Sequence, residues 1–337
     1  MRRPKLDGFV LALAAAVFLA ILWPEPGRSG GFLHLDWITG YGVCGVFFLY
    51  GLTLDPEKMR AGFWRWRTHL AIQLTTFAVF PAVVLAFEAL VPGALGEAAS
   101  VGFFYVAALP STVSSSVAMV SLARGDVPVA IFNATLSSLL GVILTPLLMS
   151  WYLQSTGAPV PLGPTVLKVV LLVLVPIGIG QIARRWLGGW ARRNSAIVKL
   201  VDRSLIIAIV YGAFCDSVAE GVWTRNDPLL VAEIAVLTII LFSLVYLLTM
   251  LGARLIGLSR GDRICLQFCG SKKSLATGVP LAPVIFAGRP DVGLIILPIM
   301  LFHFFQLLIV SAIAGRYSRD AAAAEIPFAP SPSPTAR

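Results

Sequence analysis

The sequence predicts an all-α polytopic membrane protein with ten spans, and three observations predict it. The first is composition. Of 337 residues, 58% are hydrophobic and 13% charged, whereas soluble domains run near 45–50% apolar and about 25% charged. A water-soluble chain this apolar could not cover its own core, so a soluble enzyme, a nucleic-acid binder and a disordered protein are excluded as first readings. The second is the recurrence of ten apolar stretches, each near the roughly 20 residues needed to cross about 30 Å of hydrocarbon. The third is a lopsided distribution of Lys and Arg between alternate connections, which gives the net charge of +9 a plain origin in cytoplasmic loops.

The stretches run approximately over 8–25, 36–53, 68–91, 97–123, 127–152, 163–185, 198–219, 228–254, 262–287 and 292–315. The first follows Met-Arg-Arg-Pro-Lys but is succeeded by Trp23-Pro24-Glu25-Pro26, not by a small-residue cleavage site, so it reads as a span and not as a signal peptide. The second and third flank a basic connection at 58–67. Gly125-Asp126 reads as a tight turn joining the fourth and fifth. The sixth ends in Arg184-Arg185, and the eighth and ninth are separated by Arg254, Arg260 and Arg263. Residues 1–320 therefore read as one membrane domain, and the Ala-rich, Ser-Pro-containing residues 321–337 as a disordered cytoplasmic tail.

If the N-terminus is cytoplasmic, the inner segments hold 20 Lys and Arg residues and the outer ones only Arg28, Arg225 and Arg289. That asymmetry predicts both termini on the cytoplasmic side of the membrane. Cys44, Cys215, Cys265 and Cys269 all lie in apolar stretches without metal-like or disulfide-framework spacing, and read as packing residues. Trp64, Trp66, Trp151 and Trp186 near span ends fit an interfacial aromatic belt.

Ten spans divide into five plus five, approximately 8–152 and 163–315. An odd number per half makes the second half enter from the opposite side, as inverted repeats require. The fourth span of each half is irregular. One carries Leu109-Pro110 followed by Ser111, Thr112, Ser114, Ser115 and Ser116. The other carries Gly270-Ser271-Lys272-Lys273-Ser274, with Gly278 and Pro280 beyond. Pro removes a backbone donor and Gly loosens a helix, and carbonyls freed in this way must be buried in protein or line a wet cavity. Paired breaks are a pointer to a transporter's binding site. Helix kinking or close packing by small residues is the structural alternative.

At these segments the sequence resembles the bile acid:sodium symporter superfamily, and within it the branch of bacterial and eukaryotic proteins typified by the seventh member of the human group. The resemblance rests on Gly51-Leu52-Thr53-Leu54, His69-Leu70-Ala71-Ile72-Gln73, Phe80-Pro81-Ala82 and Leu109-Pro110 with its hydroxyl run. It also rests on Ala123-Arg124-Gly125-Asp126, Ala130-Ile131-Phe132-Asn133, Phe214-Cys215-Asp216, Phe268-Cys269-Gly270 and Lys273-Ser274-Leu275. It implies two inverted five-helix repeats, a panel domain of helices 1, 2, 6 and 7, and a core domain of helices 3–5 and 8–10. Helices 4 and 9 would be broken and cross at the binding site.

The resemblance also implies uptake of organic anions such as bile acids, steroid conjugates or small carboxylates, driven by sodium. Ser115 and Ser116 match the family's sodium ligands after the fourth-helix break, and a hydroxyl oxygen is a hard ligand that adds no charge. Asn133, Thr135 and Ser137 are the polar residues near the fifth-helix positions, and Gln73 or Thr76 approximates a third-helix glutamine. Ser115, Ser116 and Asn133 are thus the candidate sodium ligands. The ninth helix departs from the pattern: Phe268 stands where coupled members have a glutamate, and Lys272-Lys273 replaces a Gln-Asn stretch.

A charge near the bilayer centre costs at least about 2.5–3.5 kcal/mol, so an intramembrane lysine normally faces a cavity or a partner. Lys272 and Lys273 therefore read as tethered cations or anion contacts, with snorkelling to an interface as the alternative. The candidate substrate or ion residues are Gln73, Thr76, Thr112, Ser114, Ser115, Ser116, Asn133, Thr135, Asp216, Ser271, Lys272, Lys273, Ser274 and His303. Asp216 could equally be solvated near the interface, and His303, with Gln306 one turn on, could be an interhelical hydrogen bonder. Glu88 and Glu233 sit near span ends and read as surface residues. The function expected is secondary transport of a small organic anion, with no cofactor other than sodium, no nucleic acid, and the bilayer as the surrounding partner. An intramembrane hydrolase would need a nucleophile beside a base, and no nucleophile motif surrounds His303 or the serine run. A non-transporting regulator on the same fold is the remaining rival. An arsenite exporter would want a thiolate where Ser111 stands.

Overall fold

A computed structural model describes residues 8–53, 64–155, 167–168, 170–219, 221 and 229–324. Among them every regular element is a helix, as hydrocarbon demands of a chain that must satisfy its backbone internally. The rods are α1 (Gly8–Leu22), α2 (Leu35–Thr53), α3 (Trp66–Leu90), α4a (Glu97–Ala108), α4b (Ser114–Leu122), α5 (Val127–Ser155), α6 (Val170–Arg193), α7 (Ser195–Ala219), α8 (Leu230–Leu255), α9a (Arg260–Gly270), α9b (Leu275–Ile285) and α10 (Val292–Ala324). Five of them, α3, α5, α6, α8 and most of α10, are each long and apolar enough to cross a membrane. The protein is a multi-pass membrane protein.

Helix ends follow local chemistry. Pro24 ends α1 soon after Leu22, with the Trp23 N–H still bonded to the Leu19 carbonyl. At the end of α4b, Arg124 adopts φ 57° and the Gly125 N–H returns to the Val120 carbonyl, closing a left-handed cap. A Cβ on Gly125 would lie 2.6 Å from Ile264, so glycine lets this turn rest on α9a. Asp126 then caps α5 through the Val129 N–H.

Two expected boundaries shift. The sixth span ends later than 185, because its amphipathic basic end stays helical to Arg193, and its expected start at 163 lies outside the described residues. The tenth helix runs to Ala324, four residues into the expected tail, because alanine is the best helix former. The expected tail beyond Ala324, the basic N-terminus at residues 2–5, Lys58, Arg60 and Arg225 lie outside the described residues.

Packing divides the rods into two groups. In one, α2 lies along α6 and α7, and α1 lies along α7. Gly51 and Gly180 sit at the α2–α6 crossing, where a Cβ on either would strike the other helix's backbone, and Gln181 donates to the Gly51 carbonyl across it. Small residues permit such close approach in membranes. In the other group α4a packs on α10, α3 and α5, while α9a packs on α8, α3, α5 and α4b. The groups meet mainly where α7 and α2 touch α10 and α9b.

Candidate substrate and ion site

The fourth and ninth rods are interrupted at Leu109–Val113 and Ser271–Ser274, and the interruptions touch. The Ser274 N–H donates to the Pro110 carbonyl at 2.9 Å. Breaking a helix frees carbonyls that cannot stay unpaired when buried, and those of Ala107–Pro110 have partners. The Ala107 and Leu109 carbonyls accept from Lys273 Nζ at 2.7 and 2.8 Å. The Ala108 carbonyl accepts from Thr145 Oγ1 at 2.8 Å. Ser137 Oγ accepts from the Ser111 N–H at 3.0 Å, and Pro110 lies against the bare face of Gly141. Ser137, Gly141 and Thr145 recur every four residues, so α5 presents one stripe of hydroxyl, no side chain, hydroxyl to the break.

Lys273 is fully buried, and its ammonium has a third acceptor, the Thr76 carbonyl at 2.7 Å. That carbonyl is free because of the sequence after it. Thr75–Val79 forms a π turn, the Phe80 N–H goes to the Thr75 carbonyl, and Pro81 has no N–H to offer Thr76. All three Lys273 donors are thus used, and the Phe80 ring lies 4.1 Å from Nζ. The Lys273 backbone is clamped by Gln306, which accepts from its N–H at 2.9 Å and donates to its carbonyl at 2.8 Å. His303 Nδ1 pairs with the same Gln306 amide at 2.9 Å.

Lys272 is equally buried but differently partnered. Its Nζ donates to Ser115 Oγ at 2.6 Å and to no other described group. Ser115 donates to Thr112 Oγ1 at 2.9 Å, Thr112 pairs with Ser116 at 2.8 Å, and Ser116 donates to the Phe268 carbonyl at 3.0 Å. Ser114 opens α4b, and its side chain is outside the described atoms. Ser271 bonds back to the Gln267 carbonyl, and Ser274 caps α9b by accepting from the Thr277 N–H. Among the described residues no carboxylate contacts either ammonium.

The chain matches the SBF-like CPA transporter family over residues 7–319. It belongs to that family. It is 41% identical to the uncharacterised protein PA2026 of Pseudomonas aeruginosa, over 98% of this chain and all of that one. It is 35% identical to YfeH of Escherichia coli, whose name marks it provisionally as a symporter, over 94% of each chain. Sodium/bile acid cotransporter 7 of Mus musculus is 30% identical over 93% of each. As an SBF-like protein the chain is a membrane transporter of a small molecule and not an enzyme.

The remaining candidates of this SBF-like transporter fall elsewhere. Asn133 is buried on α5 and pairs with His69 Nδ1 at 2.8 Å, while its Oδ1 accepts from Gln73 at 3.3 Å. This cluster shares no residue with the hydroxyl cluster around Lys272. Ser115 and Ser116 thus bond within the cluster around Lys272 and Asn133 within the one around His69, and Ser115 has the Lys272 nitrogen 2.6 Å away. Thr135 bonds back to the Ile131 carbonyl. Thr76 takes part through its carbonyl, while its hydroxyl bonds back to Ile72. Asp216 lies away from the breaks, where its carboxylate holds the Ser29 N–H at 2.6 Å and hydroxyl at 2.9 Å. Glu88, read as a surface residue, is half-buried and accepts from the Tyr152 hydroxyl at 2.7 Å. The sequence reading gave His69 and Pro81 no part in a site and did not single out Thr145. The i, i+4, i+8 spacing of Ser137, Gly141 and Thr145 was the signal available for the α5 stripe.

Proposed function

We propose that this SBF-like transporter carries a small organic anion, of the bile-acid-like, steroid-conjugate or carboxylate type, across the bacterial inner membrane by alternating access and without sodium. The observation that carries this reading is the unequal partnering of the two lysines. Lys273 is saturated by three carbonyls at the C-terminal end of α4a and on α3, so its charge offsets the negative end of a half-helix. Among the described residues Lys272 makes one hydrogen bond, to Ser115, which leaves two N–H donors for a ligand. The first turn of α4b and the cap of α9b bring further positive dipole ends to the same break. The buried Ser111 hydroxyl, without a described partner, adds a polar group beside them.

Sodium independence is supported by the same geometry. The site where sodium would meet Ser115 already holds an ammonium, and Phe268 supplies no balancing carboxylate. The name of the mouse relative couples sodium to bile acid, and this chain parts from that pairing at Lys272-Lys273. The ten rods read as two inverted five-helix repeats, with α1, α2, α6 and α7 as the panel, the others as the core, and both termini cytoplasmic. The test is uptake of a labelled organic-anion panel into proteoliposomes of the purified protein. At least one anion should enter saturably, and Lys272→Gln should weaken its apparent affinity. Uptake of neutral or cationic solutes only, or full affinity in the Lys272→Gln variant, would reject the anion reading.

A further inference from the structure

The contacts between the two packing groups are unevenly distributed along the membrane normal. On the face carrying Arg28 and Arg289, read from the charges as the outer face, the end of α7 is locked to the start of α10. Ser217 Oγ accepts from the Gly293 N–H at 2.9 Å and donates to the Pro290 carbonyl at 3.0 Å. A Cβ on Gly293 would lie 2.6 Å from Ser217 Oγ and 3.1 Å from the Ala213 carbonyl, so only glycine lets the helices meet this closely. The opposite side of α7 grips the α1–α2 connection. Tyr211 donates to the Trp23 carbonyl, Tyr211 and Cys215 pack on Gly27, and Asp216 holds Ser29. The loop before α10 is stiffened in turn, because Arg289 pairs with Asp291 at 2.7 Å and Glu97 at 3.2 Å. On the other face, among the described residues, the half-helices α4b and α9a pack chiefly on α3, α5, α8, α10 and each other. Among the described residues the two groups are therefore joined more closely on the outer side of the breaks than on the other.

We infer that Ser217 and Gly293 form the outer gate of the transporter, closed in this structure, and that this joint must part for substrate to pass from the outer face to the helix breaks. The inference rests on the proposed alternating access and adds to it the gate's location and the state observed. Asp216 is a positioning residue in this scheme: its clasp on Ser29 makes the α1–α2 connection move with α7.

Two readouts test it, both in a background where the four natural cysteines are replaced by alanine. In the first, the pair S217C/G293C is oxidised. The Gly293 Cβ position lies 3.0 Å from Ser217 Cβ, against about 3.5–4.5 Å in a disulfide, so a small separation suffices for the bond. The bond should form in the resting protein and reduce uptake to that of empty liposomes, and dithiothreitol should restore it. In the second, spin labels at F32C and L90C, both exposed on the outer face, report the distance between groups without any need for transport. Gly293→Val should lengthen that distance. Ser217→Ala, which removes the two hydrogen bonds without adding bulk, should broaden it, and serves if the valine variant does not fold. Full uptake by the cross-linked protein, failure of the cross-link to form, or an unchanged distance in both variants would overturn the gate. A distance that responds in a protein that moves no anion would uphold the joint and reject the substrate reading instead.

Discussion

Two neighbouring lysines with the same burial have different partners because the chain between Gly270 and Ser274 is not helical. Consecutive residues there point to different neighbours, so Lys273 reaches the end of α4a and the π turn of α3, while Lys272 reaches the hydroxyls of α4b. Removing the Lys273 ammonium leaves three buried carbonyls without donors, each costing about 1–3 kcal/mol. Lys273→Met should therefore lower the thermal unfolding midpoint in detergent by many degrees. Lys272→Gln, which can still donate to Ser115, should leave the midpoint nearly unchanged and lower anion affinity. Thermal unfolding and uptake measured side by side separate the two, and a reversed order would refute the assignment. Both lysines were legible in the sequence as charges in an apolar span. Their different partners were not, and the sequence reading gave both the same alternatives of tethered cation or anion contact. Lys272 does neighbour Ser115, but Lys273 is the one enclosed by carbonyls. Asp216 was illegible for a similar reason, since its partner Ser29 is 187 positions away.

At the scale of elements, the two interruptions were readable because Pro and Gly act locally on the backbone. What holds them was not. Ser137, Gly141 and Thr145 look like the small residues of any packed membrane helix, and only their placement opposite Ala108–Ser111 makes them a cradle. Gly141→Ala would set a methyl 2.5–2.8 Å from carbons of the rigid Pro110 ring. The break must then move, and uptake should fall sharply even where the protein still inserts. Thr145→Val keeps the shape but strands the Ala108 carbonyl, and should cost about 1–3 kcal/mol of stability. Uptake and thermal unfolding of the two variants check this, and wild-type behaviour in both would mean α5 does not brace the break. The partners of Asn133 were hidden for a related reason. Helix periodicity places Asn133 on a buried face, but the pairing with His69 and Gln73 depends on how α3 lies against α5.

At the scale of the whole molecule, composition and charge asymmetry sufficed for a multi-pass helical membrane protein, because burial in hydrocarbon constrains every residue alike. The seal between α7 and α10 could not be read, since Ser217 and Gly293 are unremarkable singly and meaningful only in contact. On the proposed reading an anion is carried past Lys272 in a core where a lysine nitrogen, when charged, takes the place a sodium ion would need beside Ser115. Two unit charges about 4 Å apart repel by roughly 4 kcal/mol at an effective dielectric near 20, enough to weaken sodium binding about a thousandfold. The most direct test is the initial rate of labelled anion uptake into proteoliposomes as external sodium is replaced stepwise by N-methylglucamine at constant ionic strength. The rate should stay flat across the whole range. A steep, saturable rise with sodium would contradict the account and place a sodium ion in the transport cycle after all.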